Sequence, residues 1–349
     1  MVSEPASPSP LSGAEAEVGV LPDIARREIG GWRVPVLAAS ALAMVPLFAS
    51  PYMQDVVVRI AVYAIFALSL ELLVGGVGLV SLGHAAFFGI GAYATVLVSG
   101  DAGAPLVLVL TAAVASAAGY ALVVGALSLR TRGVYFIMVT LAFAQMAYFV
   151  FHDTKVGGGS DGIFLSVKPA LQIAGVIWLD LGARLPFYYT VLATLVATYG
   201  LLALLLASRF GHALAGIRVN EQRMRAAGFP SYFYKLAAFV IAGALAGLAG
   251  ALLAIKDGAV NPELLAWQES GAVLLMLILG GIGSLRGAVI GAIAFTLLKE
   301  LYQSEAIVGP MASHWQLTLG LTIIAFVALL PKGLIGLGAR LGLVRHGRG

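Results

Sequence analysis

Two ionisable side chains lie where such groups are costly. Glu71 sits deep in an apolar run, and His84 follows a glycine-rich stretch, in Glu71-Leu-Leu-Val-Gly-Gly-Val-Gly-Leu-Val-Ser-Leu-Gly-His84. A carboxylate inside an apolar segment can meet a cation or an ammonium group, carry a proton, or serve only as a hydrogen-bonded structural group. An imidazole has the same choice between proton carrier and satisfied structural group. Between them, Gly75, Gly76, Gly78 and Gly83 each cost a helix about 1 kcal/mol relative to alanine, so the helix should break there. A new helix should start near Ser81, whose hydroxyl can cap the free N–H groups of the next turn. Such a helix start, opening on a cavity, would suit a carboxylate ligand. The plainer alternative is a glycine-rich turn at the membrane surface. The run from Arg59 to Gly75 covers about 24 Å, which leaves both readings open. Thr140 and Gln145 are polar groups inside a later apolar run. They can face a pathway, or bond a neighbouring helix for about 0.6 kcal/mol.

Enzyme chemistry finds no support. There is no phosphate-binding Gly-x-x-x-x-Gly-Lys-Ser/Thr loop, no His-Glu-x-x-His and no Gly-x-Ser-x-Gly. Cysteine is absent, and no second histidine stands at metal-ligand spacing from His84. The reading is of a non-enzyme with no cofactor and no bound metal.

The elements that must position these groups follow from composition. Of 349 residues, 60% are hydrophobic and 11% charged, against roughly a quarter charged in soluble domains. The bilayer must be the solvent for much of this surface. Runs near 34–50, 54–75, 84–100, 104–129, 133–151, 186–207, 234–255, 265–282, 287–302 and 313–331 are long enough, or nearly so, to cross it. The expectation is an all-α integral membrane protein of about ten transmembrane helices with both termini cytoplasmic. On that topology 15 of the 21 Lys and Arg residues face the cytoplasm, the sign the positive-inside rule requires. No nucleic-acid partner is expected from the net charge of +4, since its distribution fits the membrane.

Residues 1–25, rich in Ser, Pro, Ala and Glu, read as a disordered cytoplasmic tail and not a cleaved leader. Residues 26–335 form the membrane domain, and 336–349 a basic cytoplasmic tail. Two loops stand out. The outer one, 151–186, carries Gly157-Gly158-Gly159-Ser160-Asp161-Gly162 and a moderately apolar stretch read as interfacial structure. The inner one, 208–234, has a helical pattern from His212 to Ala227, with Leu214, Ile217 and Met224 on one face and Arg218, Glu221 and Arg225 at i, i+3/i+4 spacing. Gly228 and Pro230 end it. Its mixed charge fits docking to a cytoplasmic partner better than adhesion to anionic lipid alone.

Val74-Gly75-Gly76-Val77-Gly78 is echoed by Leu279-Gly280-Gly281-Ile282-Gly283, a faint sign of duplication as in transporters with interrupted helices. These features together resemble the LivM-type permease of branched-chain amino-acid ABC importers. The similarity runs through Gly78 to Tyr93, Gly133-Val134-Tyr135-Phe136, Thr140 to Gln145, Gly158 to Gly162, Arg218 with Asn220-Glu221, Ala226-Ala227-Gly228, and Leu279 to Leu285 with Gly287. It covers roughly residues 50–335.

The resemblance implies an importer of several chains. A second related permease, two cytoplasmic ATPase subunits and a soluble substrate-binding protein would be its partners, with the lipid bilayer around it. It implies a pathway including Glu71, Ser81, His84, Thr140 and Gln145, with Glu71 suited to an ammonium group and the N–H groups near Ser81 to a carboxylate. It also implies a receptor-facing loop with Ser160 and Asp161, and an ATPase-coupling segment of Arg218, Asn220, Glu221, Arg225, Ala226, Ala227 and Gly228. That segment departs from the EAA-type loop of many other ABC permeases, so its contact residue stays open. The expected place is a bacterial inner membrane. Two alternatives remain: a urea or short-amide permease of like architecture, and a proton-coupled secondary transporter working through Glu71 and His84.

Overall fold

The computed structural model describes residues 33–100, 103–173, 176–330 and 333–340. The tail over residues 1–25 and most of the basic tail over 336–349 lie outside the described residues. The chain is predominantly helical. Its long helices are α1 (Arg33–Phe48), α2 (Pro51–Glu71), α3 (His84–Ser99), α4 (Leu106–Ser128), α5 (Val134–Asp153) and α6 (Arg184–Ala207). After the loop helices α7 (Arg209–Val219) and α8 (Glu221–Ala226) come α9 (Ser231–Asp257), α10 (Trp267–Gly280), α11 (Leu285–Gln303), the short α12 (Glu305–Val308), α13 (Trp315–Leu329) and α14 (Gly333–Arg340).

Every expected apolar run contains a helix. Among the described residues, six helical segments are long and apolar enough to cross a bilayer unaided. α1 and α3 are shorter, while α10 and α11 form a pair bent by 114° at their junction. This is an all-α membrane protein whose bundle has two ends. One carries α7, α8 and most of the basic residues and is called the basic end. The other carries two small antiparallel strand pairs and is called the hairpin end. There β2 (Ala170–Ile173) pairs with β3 (Val176–Asp180), and β1 (Ile163–Phe164) pairs with β4 (Ala259–Val260). The long loop expected to be interfacial is therefore partly β structure, and β1 fastens it to the end of α9.

α2 and α9 form the centre of the bundle, being the most buried of the long helices. Small residues on α9 make that possible. A Cβ on Gly91 of α3 would lie 2.2 Å from the carbonyl oxygen of Gly247, and one on Gly250 would lie 1.8 Å from that of Phe88. In lipid no hydrophobic force drives helices together, so such close backbone contact supplies the cohesion. Phe66, Phe87, Phe88 and Phe239 fill the space beside this seam.

Candidate functional site

The first glycine break has a definite shape. α2 continues as a π-turn over Leu72–Val77 and stops at Gly78, which is left-handed with φ 79°. An extended segment then climbs to α3, which begins at His84 and not near Ser81. Phe87 packs against Gly243, about 12 residues into α9, so the first turn of α3 lies roughly 18 Å along that helix. The restart thus lies within the bundle, where non-helical backbone is tolerated against protein.

The expected cap is corrected in the same place. The Ser81 hydroxyl accepts only from the N–H of Gly83, at 3.2 Å. The amide of Ala85 in the first turn donates instead to Ser270 Oγ on α10, at 2.8 Å. A neighbouring helix supplies the capping oxygen, so this helix start is occupied by protein.

The two glycine breaks meet. Glu71 Oε1 accepts a 2.7 Å hydrogen bond from the N–H of Gly283, in the junction between α10 and α11. Gly75 lets this happen, because a Cβ there would stand 1.9 Å from the same oxygen. From the basic end, the Arg218 guanidinium donates to the carbonyl of Gly75. One cluster therefore joins the loop over 208–234 to both interrupted helices. Beside it is a cavity of about 500 Å³ lined by Glu71, Gly75, Arg218, Gly283 and Ser284.

α7 and α8 differ from the single helix expected over 212–227. Asn220 breaks the helix, and its side chain accepts from the N–H of Arg223 at 2.9 Å to start α8. Glu221 is held by Arg225 at 2.6 Å, Lys235 at 2.7 Å and Ser231 at 3.1 Å. Burial pushes its carboxyl up, but the bond and charge of Lys235, with Ser231 and Arg225, outweigh that and hold it below the ordinary carboxylate range. Ala226, Ala227 and Gly228 are exposed beyond this clamp.

A second cavity, of about 810 Å³, opens at the hairpin end between α2, α5, α10, α11 and α13. Its charged residues are Arg59, Glu263, Glu269, Lys299 and Glu300. Arg59 and Glu300 pair at 3.5 Å, and Tyr52 donates to Glu300 at 2.5 Å. Lys299 Nζ stands 5.5 Å from the centre of the Trp315 ring. Deeper in, Phe295, Met276, Leu319 and Ile323 make the wall apolar.

The five residues expected on a pathway are therefore not one cluster. Glu71 lines the basic-end cavity and Gln145 the hairpin-end cavity. Ser81, His84 and Thr140 are fully buried. His84 Nε2 is bonded to Ser69 Oγ at 2.8 Å, and its ring stacks on Phe66 and meets the edge of Phe87. Thr140 donates to the carbonyl of Ile137 at 2.9 Å. Ser160 and Asp161 bond each other at 3.2 Å on the exposed loop at the hairpin end. Glu269, Thr296 and Lys299 line the hairpin-end cavity but were not among the expected pathway residues.

An interrupted-helix membrane protein with a cavity at each end has the form of a transport protein. The sequence profile of the family described as "branched-chain amino acid transport system / permease component" matches residues 52–327. The high-affinity branched-chain amino acid transport system permease protein LivM of Salmonella typhimurium strain LT2 is 31% identical over 312 residues, covering 83% of this chain and 71% of that protein. LivM of Escherichia coli K12 is 30% identical over the same shares. No solved structure matches the chain. The chain belongs to this permease family and is a LivM-type transmembrane transport permease.

Proposed function

We propose that this chain is one transmembrane subunit of an ATP-driven importer of branched-chain or similar amino acids in a bacterial inner membrane. In this reading it has ten spans and both termini in the cytoplasm, so the basic end is cytoplasmic. A second related permease completes the path, two ATPase subunits drive it, and a soluble binding protein delivers substrate to the loop bearing Ser160 and Asp161.

The observation that carries the proposal is the cluster of Arg218, Gly75, Glu71 and Gly283. It gives the cytoplasmic loop a direct hold on both helix breaks. Movement imposed on α7 and α8 by a nucleotide-driven partner would pull on the break that closes the basic-end cavity. Asn220 starts α8, and Glu221 and Arg225 clamp it to α9, so the outward face with Ala226, Ala227 and Gly228 is held ready for that partner. Glu71 faces substrate leaving through this cavity, while Ser81, His84 and Thr140 frame the closed section above it.

Purification of the tagged chain from its native membrane tests this. Two ATPase subunits should co-purify, and the reconstituted assembly should take up leucine only with ATP and the binding protein. Uptake by the chain alone, driven by a proton gradient, would replace the proposal with secondary transport. The setting of His84 speaks against that alternative: its ring is sealed between Phe66 and Phe87, with a serine as its bonded partner. Glu71→Gln should abolish uptake while the ATPases stay attached, and normal uptake would remove Glu71 from the pathway.

A further inference from the structure

α1 is pinned to α6 beside a proline. Pro46 lies inside α1 and has no N–H to give, so the carbonyl of Leu42, four residues earlier, loses its helical donor. Tyr188 Oη of α6 donates to that carbonyl at 2.6 Å, and Tyr189 Oη donates to the next one, of Ala43, at 3.3 Å. From these ties toward the basic end, α1 and α6 leave between them a groove of about 540 Å³, whose third wall is α11.

The walls are aliphatic. Val36 of α1, Val196 of α6, and Ile290 and Ile293 of α11 line the groove and stay exposed. In a bilayer such a groove is filled by lipid hydrocarbon or by another helix. Its length decides between them. Pro35 to Ala43 on α1 covers about 12 Å, and Arg286 to Ile293 on α11 about 10 Å. One leaflet of the hydrocarbon core is about 15 Å thick, whereas a spanning helix crosses about 30 Å. The groove therefore matches an acyl chain of one leaflet, and the tyrosine ties close it well short of a transmembrane helix.

One charge stands at the basic end of the groove. Arg286, the second residue of α11, is half-buried and alone among the lining residues carries a charge. A guanidinium stays charged and presents its donors as a fork that fits phosphate oxygens. Its five N–H donors let it hold a phosphate besides a partner within the protein. Basic residues in a cleft between membrane helices suit the headgroups of anionic lipids.

We propose that the groove between α1, α6 and α11 binds one anionic phospholipid of the leaflet at the basic end, with the phosphate on Arg286 and one acyl chain running past Ala39 and Ile293 toward the Tyr188 tie. Arg286 lies three residues beyond Gly283, whose N–H is held by Glu71, so the bound headgroup adjoins the point where the two helix breaks meet. The site is independent of what drives transport.

The full chain, purified in detergent, provides the test. Native mass spectrometry compares its retention of dioleoyl phosphatidylglycerol with that of dioleoyl phosphatidylcholine, which has the same chains and no net charge. The wild type should hold one phosphatidylglycerol about 5-fold more strongly. Arg286→Gln should bring phosphatidylglycerol down to the phosphatidylcholine level and leave phosphatidylcholine unchanged. Arg286→Lys should keep part of the preference, which a misfolded protein would not. Ala39→Phe fills the groove and should lower retention of both lipids without changing the melting temperature of the lipid-free protein. An undiminished preference in Arg286→Gln, or undiminished phosphatidylglycerol retention in Ala39→Phe, would overturn the site. Retention that appears only after residues 2–32 are removed would give the groove to the chain's own N-terminal segment. Retention lost when the chain is purified together with a second permease would give it to that subunit. Either of these results also overturns the proposal.

Discussion

The two cavities use polar groups in opposite ways. At the basic end charged side chains tie elements together: Glu71 takes the amide of Gly283, Arg218 takes the carbonyl of Gly75, and Glu221 is shared among Arg225, Lys235 and Ser231. At the hairpin end Thr296 and Gln145 keep buried oxygens without partners among the described residues. Bonds that tie a loop to two helix breaks hold a conformation. The first has the character of a latch, and the two cavities lie on opposite sides of the buried section around His84.

The largest effect should come from the latch's tightest point. In Gly75→Ala the new methyl group would occupy the place of the Glu71 carboxylate, 1.9 Å away. The carboxylate must leave and release Gly283. Overpacking of this kind costs about 1–3 kcal/mol, and here it also severs the tie between the two breaks. A fall in melting temperature with loss of uptake is the expected outcome. Gly119→Ala is the control, because nothing lies within 4 Å of its added Cβ. It should be neutral, or stabilise α4 by about 0.5–1 kcal/mol. Equal melting curves for the two variants would deny the latch.

Much of this fold is written locally. An apolar run long enough to span a bilayer marks its own helix, which is why each expected run contains one. The break after Gly75 was legible because four nearby glycines weaken a helix wherever it packs. What stayed hidden depends on distant partners. Ser81 looked like a cap because it precedes His84, but the oxygen that caps α3 belongs to Ser270, far along the chain. The periodicity over 212–227 concealed the break at Asn220, because Met224 keeps the apolar spacing although α8 folds back so that it lies against Gly216 of α7. Glu269, Thr296 and Lys299 carried no motif, since the cavity they share exists only once α10 and α11 fold back on each other.

A smaller effect concerns Glu221 and acid. Its folded carboxyl titrates below the ordinary value of 4.5, so its contribution is complete above that value and lost as pH falls through the lower, folded value. Half-exposed Arg225 and the open surface limit the effect to less than about 1 kcal/mol. Hydrogen exchange of the α8 amides should therefore be insensitive to this group from pH 7 to about pH 5, apart from the intrinsic rate, with protection falling in stronger acid. Glu221→Gln should remove that dependence. The Glu71 latch is buried, and the acid-induced opening of α8 should leave the Gly75 region protected.

The smallest effect sharpens what the clamp is for. Arg223 is exposed and has no ion pair among the described residues, whereas its neighbours Glu221 and Arg225 are engaged with each other. Arg223→Ala should change stability by less than about 0.5 kcal/mol, as expected at a surface position without partners. If the outward face of α8 meets an ATPase, the same substitution should slow association and make it less salt-dependent, since a charge at an interface rim acts mainly on the on-rate. Glu221→Ala combined with Arg225→Ala should weaken association by a different route, because it frees α8 from α9 before any partner arrives. That double variant should lose α8 protection in the isolated permease, whereas Arg223→Ala should not. An ATPase that binds the Arg223 variant with unaltered rate and salt dependence would confine the docking surface to the exposed turn at Ala226, Ala227 and Gly228.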